Sequence, residues 1–399
     1  LTKSYIILDK SSVGIYTTKA LKINKSHPYE KRDIFWKIQV FMSYFVTVTC
    51  LICLIYSMLY HDFPEEDYGE GVKNGMIVIV ATSILLKYFI LTRNRHVLIK
   101  LIKMIEDDYE IAKHFNNEDR SIVLKYNQKG KEICKIWLVI ATGASMMFPL
   151  KAAVLMAYYY NKGEFRPVAI FDIHYPEFIN AHKYEPLAYF LLFLLVFSFD
   201  CFAMSMYVAF DPLVPIFMLH TCGQLHILSQ RILNVFSQNS EPEEISENLK
   251  QINIKLESIY RFVKTVQNVF SVQYEYNLKT TTFLIPFAGF QLAQSLVKRE
   301  FNLEFLFFFV GAILHFYIPC CYSDLLMEKS EVMRQAIYSS GWENTTNTKN
   351  RKIVLFMLTR TTMPLVIRTV FFPICLDTFA QMCRQSYAIY NIISAAWAQ

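Results

Sequence analysis

The stretch "FFPICLDTFAQMCRQSYAIYNIISAAWAQ" (371–399) is apolar enough to enter a bilayer, yet it keeps Asp377, Gln381, Arg384, Gln385 and Asn391. Hydrocarbon penalises such groups unless they meet protein or water. At 100° per residue from Gln381, the residues Asp377, Arg384, Gln385, Ala388, Asn391, Ile392, Ala395 and Ala396 all fall within about 80° of it. Phe379, Met382, Ser386, Ile389, Tyr390, Ile393 and Trp397 fall on the other side. The segment therefore reads as an amphipathic membrane helix with one face of polar and small groups. Two readings stay open on this arithmetic. The face is a seam against neighbouring helices of the same chain, or it lines a watery path narrowed at one end by Ala388, Ile392, Ala395 and Ala396, as in a dewetting gate. One helix cannot enclose a pore, so the second reading requires several copies around an axis.

The rest of the chain supports a membrane setting. Of 399 residues, 54% are hydrophobic, 16% aromatic and 19% charged, against roughly 25% charged in soluble domains. The charges cluster between long apolar runs. We read seven spans, at Ile34–Tyr60, Val72–Thr92, Ile133–Tyr159, Pro186–Phe210, Val272–Ser295, Phe301–Tyr322 and Phe371–Ala396. They are helices, because each is long enough to cross alone and no ten-residue barrel alternation is present. The expectation is one all-α, seven-helix membrane domain over 1–399, with helices at 220–270 and 323–363 standing outside the bilayer. The first 25 residues have no apolar core, so no cleavable leader is expected and the first span serves as its own insertion signal.

Alternate loops carry 27 and five Lys/Arg respectively. By the positive-inside rule the N-terminus is cytoplasmic, and an odd number of spans puts the C-terminus outside. That polarity is opposite to a G-protein-coupled receptor. The sequons at Asn24 and Asn344 both fall on the expected cytoplasmic side, where they would stay bare. Apolar residues of the cytoplasmic helices, such as Ile252, Ile254, Leu256, Ile353, Leu355 and Phe356, need partners, either within the chain or on another subunit.

The motifs exclude several classes. No HExxH, GxSxG or Gly-rich phosphate loop is present, so no catalytic residue and no cofactor is assigned and the chain is not read as an enzyme. The nine histidines lack metal-ligand spacing, and the nine cysteines sit in or near apolar spans, so neither a metal site nor a disulfide framework is expected. The net charge of +6 is spread over loops and does not suggest nucleic acid. A transporter remains the main alternative, although inverted repeats and broken helix pairs are missing.

"CLDTFAQMCRQSYAIYNII" with the preceding "MPLVIRTVFFP" resembles the C-terminal signature of insect odorant receptors. "HTCGQLHILSQRI" (220–232), "FAGFQL" (287–292) and "YIPCCYSDLLMEKSEVMRQAIYSSGW" (317–342) are further matches, and together they cover most of the C-terminal half. Ser386-Tyr387 is not followed by the Gln-Phe pair of the related gustatory receptors, which favours the odorant branch over a gustatory-type channel for a non-volatile ligand. The short fourth-to-fifth connection is unlike the family's co-receptor and suits a ligand-tuning subunit. The resemblance implies a ligand-gated, non-selective cation channel, assembled with odorant co-receptor subunits as a heterotetramer in lipid of the sensory dendrite. It places the gate on Ile392 and Ala396 and the narrow filter near Ala395. Ala396 departs from the bulkier residue usual in the co-receptor, which favours heteromers.

The resemblance also implies a pocket for a small, neutral, hydrophobic volatile among spans two, three, four and six. Physically that pocket should be apolar and aromatic with few directed hydrogen bonds. The candidates are Tyr88, Phe89, Ser145, Phe148, Phe197, Phe199, Phe202, Phe307 and Phe309. Asp200 is added as an intramembrane carboxylate, which either contacts a polar ligand or pairs with a Tyr or Lys87.

Overall fold

The computed structural model describes residues 14–66, 68–164, 166–236, 242–297 and 303–397. In chain order the described α-helices are α1 (Ile15–Ile23), α2 (Ile34–Ser57), α3 (Tyr68–Arg93), α4 (Arg95–Ala112), α5 (Asn117–Asn161) and α6 (Glu177–His182). They continue as α7 (Pro186–Phe210), α8 (Leu213–Val235), α9 (Pro242–Val297), α10 (Leu303–Tyr338), α11 (Thr348–Arg360) and α12 (Leu376–Trp397). A π turn, Met58–Asp62, extends α2. Strands are absent among the described residues, and the one β-bridge joins Arg368 to Pro373. Several helices start where a side chain caps them: Asp33 Oδ1 accepts from Trp36 N, Asn116 Oδ1 from Asp119 N, and Asn347 Oδ1 from Lys349 N. Such caps satisfy amides that have no partner inside the helix.

Two of the expected spans sit inside much longer helices: the third lies within the 45-residue α5, and the fifth is the end of the 56-residue α9. Of the stretches expected outside the bilayer, 242–270 and 323–338 continue into spans as parts of α9 and α10, whereas 220–235 belongs to α8 and Thr348–Arg360 is the separate α11. Phe301, read as the start of the sixth span, and the basic stretch 1–13 lie outside the described residues. The last helix starts at Leu376 and not at Phe371, because the antiparallel bridge of Arg368 with Pro373 folds 367–374 back on itself in a tight turn.

Among the described residues, five stretches are long and apolar enough to cross a membrane: Ile34–Asp62, Tyr68–Arg93, Asn117–Asn161, Pro186–Val235 and Leu303–Asn344. α2 shows why. It buries only Thr47, Cys50, Leu54 and Ser57, a narrow stripe of mostly small groups, and leaves Phe35, Ile38, Phe41, Phe45 and Ile52 exposed. A helix with small or polar groups inward and large apolar ones outward fits hydrocarbon and not water. α9 and α12 fall short of that measure because they carry polar residues at the same depth. Several of those of α9 bond within the chain: Gln273 Nε2 donates to Ser83 Oγ and Asn277 Oδ1, and Tyr276 Oη donates to Ile79 O.

α8 is the central post, buried on nearly every side from Leu213 to Leu225 and packed on α5, α9 and α10. It meets α7 at Asp211-Pro212. There the fully buried Lys87 Nζ of α3 donates to Asp211 Oδ2 at 2.8 Å and lies 3.2 Å from His315 Nε2 of α10. His315 Nε2 is 3.4 Å from Asp211 Oδ1, and the Tyr207 ring faces the ammonium at 3.7 Å. Lys87 therefore pairs with Asp211, not with Asp200. A second ion cluster ties α4, α8 and α9: Asp108 takes His220 Nε2 at 3.0 Å on one oxygen and Lys255 Nζ on the other. Burial pushes the Asp108 carboxyl up, but His220 and Lys255 outweigh it and hold the group below its ordinary range.

The link from α11 to α12 is stapled to α10. Leu365 N donates to Ser330 Oγ at 3.0 Å and Ile367 N to Ser323 Oγ at 3.2 Å. Two serines seven residues apart lie on one face of a helix, so the non-helical strap finds its donors' partners on a single line. Asn24, the first sequon, is buried and its Nδ2 contacts Met206 Sδ at 3.2 Å, so the folded chain offers no amide there for a glycan.

Removing one partner of a buried ion pair strands the other. Asp211→Ala should destabilise the detergent-solubilised protein by about 3–5 kcal/mol, while Lys87→Met with Asp211→Leu should recover most of the loss; thermal unfolding of the three proteins reads the difference. A carboxyl depressed by folding stabilises above its unfolded value and loses that contribution as pH falls through the folded value. The gap in melting temperature between wild type and Asp108→Asn should therefore be widest near neutrality and close below about pH 4.

Candidate ligand cavity and terminal helix

A cavity of about 120 Å³ opens between α3, α5, α7, α9 and α10. It is similar in size to the ~150 Å³ engineered cavity that takes up benzene. Small residues make the space: Ala141 and Ala144 on α5, Ala203 on α7, Gly311 and Ala312 on α10. A Cβ built on Gly311 would meet nothing within 4 Å, so this glycine leaves room that packing does not fill.

Aromatic rings close one end. Phe148 stands edge-on to Phe171 at 5.0 Å and to Phe308 at 5.8 Å, and Phe171 meets Phe199 at 6.4 Å. The other end is polar. Trp137 and Tyr207 lie edge-on to His315 at 5.8 and 5.6 Å, and His315 belongs to the Lys87–Asp211 cluster. Two polar atoms of the lining are buried with no hydrogen-bond partner, the donor Trp137 Nε1 and the acceptor Asp200 Oδ2. An apolar cleft with one idle donor and one idle acceptor suits a small, mainly apolar molecule bearing a single hydroxyl or carbonyl.

Of the ten ligand candidates, Ser145, Phe148, Phe199, Asp200 and Phe307 are on the cavity wall. The other five lie elsewhere. Tyr88 is buried, donates to Asn24 O at 3.1 Å and packs between Tyr44 and the edge of Phe202. Phe89 is exposed, Phe197 stacks on Phe193, and Phe309 packs over Gly289 in a groove shared with α12. The wall also holds Trp137, Tyr207, His315 and Gly311, which the sequence did not single out. Phe171 comes from a connecting segment, so a search confined to spans misses it.

α12 buries Thr378, Met382 and Ser386 against α9 and α10. Ser386 Oγ donates to Thr282 O at 3.0 Å, and Phe379 meets Tyr317 at 5.4 Å. Gln381, Arg384, Gln385, Ala388, Asn391, Ile392, Ala395 and Ala396 are all exposed on the single chain. The polar face is thus not covered by the described remainder of its own chain.

The structure is similar to that of the insect olfactory receptor OR5 from Machilis hrabei, with a TM-score of 0.73, 16% identity, and 94% of this chain and 96% of that chain covered. The complex of that receptor with eugenol gives a TM-score of 0.75 at 16% identity, over 95% of this chain and 97% of that chain. In sequence, the chain is 27% identical over 204 residues to odorant receptor 13a of Drosophila melanogaster, spanning 47% of this chain and only about half, 48%, of that relative. Odorant receptor 49a of the same fly is 20% identical over 370 residues, 90% of each chain. The family profile described as 7tm Odorant receptor matches residues 67–387, most of the chain. The chain therefore belongs to the odorant-receptor family, whose members are membrane receptors and not enzymes.

Proposed function

We propose that this chain is the ligand-tuning subunit of an odorant-gated, non-selective cation channel. It has seven spans, a cytoplasmic N-terminus and an extracellular C-terminus, and it works in the dendritic membrane of olfactory neurons as a heterotetramer with co-receptor subunits. The observation that carries this reading is the exposed polar face of α12 on a chain that also holds a mainly apolar cavity. In a bilayer such a face requires water or another subunit.

The cavity and α12 share two helices. α10 contributes Phe307, Phe308, Gly311 and His315 to the wall and, lower down, carries Tyr317 against Phe379 and the two serines that staple the strap before α12. α9 contributes Leu284 to the wall, and its Thr282 carbonyl receives Ser386 of α12. A ligand that draws α10 and α9 closer around itself in the open state than in the shut state would move α12, and only such differential binding can drive opening. Ile392, exposed and apolar at the far end of the polar face, is placed to form the constriction. The ligand is a small neutral volatile with one polar group, held by the aromatic end and directed by Trp137 and Asp200. The eugenol bound by the related receptor, an aromatic ring with one hydroxyl, is of this kind.

Two measurements test the proposal. Cells expressing this chain with a co-receptor should pass cation current when a panel of small volatiles is applied, and excised patches should keep that response, whereas cells expressing either subunit alone should respond weakly or not at all; loss of the current on patch excision, as a soluble second messenger would require, would sink it. Gly311→Leu should fill the cavity and shift the dose–response to at least tenfold higher ligand concentration with surface expression kept. Gly311→Ala, adding one methyl to open space in a helix, should raise stability by up to about 1 kcal/mol with a smaller shift.

A further inference from the structure

A polar cluster at the end of the bundle, away from the cavity wall and α12, is not used by the proposed mechanism. The π turn Met58–Asp62 adds residues to the last turn of α2 and brings His61 and Asp62 to face the connecting segment that carries His174. π turns inside helices recur at functional sites. The ligand-capable atoms of His61, Asp62 and His174 lie within 4.8 Å of one another, although the two histidines are more than a hundred residues apart in sequence. His174 Nδ1 is 3.6 Å from Asp62 Oδ1 and has no hydrogen-bond partner. The two imidazoles stack face to face with centroids 3.4 Å apart and planes 5° apart.

Asp62 is 1% exposed, and its oxygens accept from Ser57 Oγ at 3.1 Å and Asn74 Nδ2 at 2.7 Å. Those donors are neutral, and among the described residues neither Lys nor Arg comes within salt-bridge distance of it. Lys73, nearby, is taken by Glu70 and Asp172. A buried carboxylate without a cation is costly, and two stacked imidazoles repel if both are protonated. A bound cation resolves both at once. Asn74 Oδ1, buried in the same cluster without a partner, is a further idle acceptor. Glu65 Oε1 lies 3.2 Å from His61 Nε2, in reach as the carboxylate that orients a ligating histidine or as a fourth ligand.

We propose that His61, Asp62 and His174 form a binding site for a divalent transition ion of the zinc class. Two imidazole nitrogens and one carboxylate oxygen match that class, whereas Ca²⁺ and Mg²⁺ call for oxygen throughout. The ion ties the segment holding His174 to the end of α2. That segment also supplies Phe171, three residues earlier, to the cavity wall, so metal binding holds the aromatic end of the cavity in place. The site does not depend on the odorant reading, and its test uses no odorant.

The full chain, purified in detergent, is titrated with Co²⁺ as a visible-absorption probe and then back-titrated with Zn²⁺. Amide hydrogen exchange over 169–176 is followed with and without Zn²⁺. The expected result is one ion per chain, ligand-field bands lost on Zn²⁺ addition, and slower exchange in that segment. His61→Gln and His174→Gln should each weaken binding at least tenfold, and His182→Gln, an exposed histidine at the same end, should leave it unchanged. Both cluster histidines are about two-thirds buried at their side chains and leave the Asp62 bonds to Ser57 and Asn74 intact, so unaltered melting of the metal-free variants checks their fold. Failure of the wild-type chain to bind Co²⁺ saturably, or binding that both glutamine variants retain, would overturn the proposal.

Discussion

The buried contact of Lys87 with Asp211 and His315 is the constraint on which the bundle turns. An ammonium at zero exposure in a chain of this apolarity survives only if its charge is met at once. Asp211 meets it from the break between α7 and α8, His315 from α10, and Tyr207 offers its ring face. Three helices that are distant in sequence are thereby fixed at one height. Asp211 and Pro212 keep helical backbone angles, so α8 follows α7 through a short interruption and packs on α5, α9 and α10. The same contact forms the polar end of the cavity through His315 and Tyr207, so the groups that hold the fold also shape the pocket's floor.

This arrangement separates a rigid part from a softer one. Below the Lys87 cluster the core is continuous, with Phe210, Phe217, Phe262 and Phe270 in edge-to-face contact and a second ion cluster at Asp108. Above it, alanines and a glycine leave space that aromatic edges close at one end. Close packing makes cores hard to deform, so under the proposed gating the helices would move most where packing is already incomplete. α10 passes through both parts and reaches α12, and it is the element best placed to convert a change in the upper cavity into a displacement of the terminal helix.

Much of this was legible in the sequence. Apolar run lengths gave the helices, and the 100° wheel gave the split face of α12, because both are local properties of one helix. The Ser145, Phe148, Phe199, Asp200 and Phe307 part of the cavity wall was reached through the spans that the family resemblance implied, with composition choosing residues within them. What local reasoning could not supply was direction around the axis relative to neighbours. Phe197 and Phe202 share a helix and a composition with Phe199, yet they turn to Phe193 and Tyr88. Asp200 was the carboxylate weighed as a partner for Lys87, and the fold gives that place to Asp211, eleven residues on, which the sequence reading passed over. Phe171 and His174 lie on a connecting segment whose position depends on the tertiary fold, and no spacing rule links His174 to His61.

The exposed face of α12 also bears on how the complete receptor is built. A strip carrying Asp377, Gln381, Arg384, Gln385 and Asn391 is penalised in lipid, and the described helices of the chain do not cover it. The opposite side of the helix is committed, since Ser386 is bonded to α9 and Phe379 packs on α10. Rotating α12 to hide the polar strip within one chain would break both contacts and expose Met382 and Thr378 in exchange. The local packing therefore fixes which way the strip points, and the bilayer then demands a neighbour that brings water or complementary polar groups to it. Identical or related copies of the same helix around a common axis supply both, and a water-filled centre lined by several such strips is the simplest arrangement that leaves none of them in hydrocarbon.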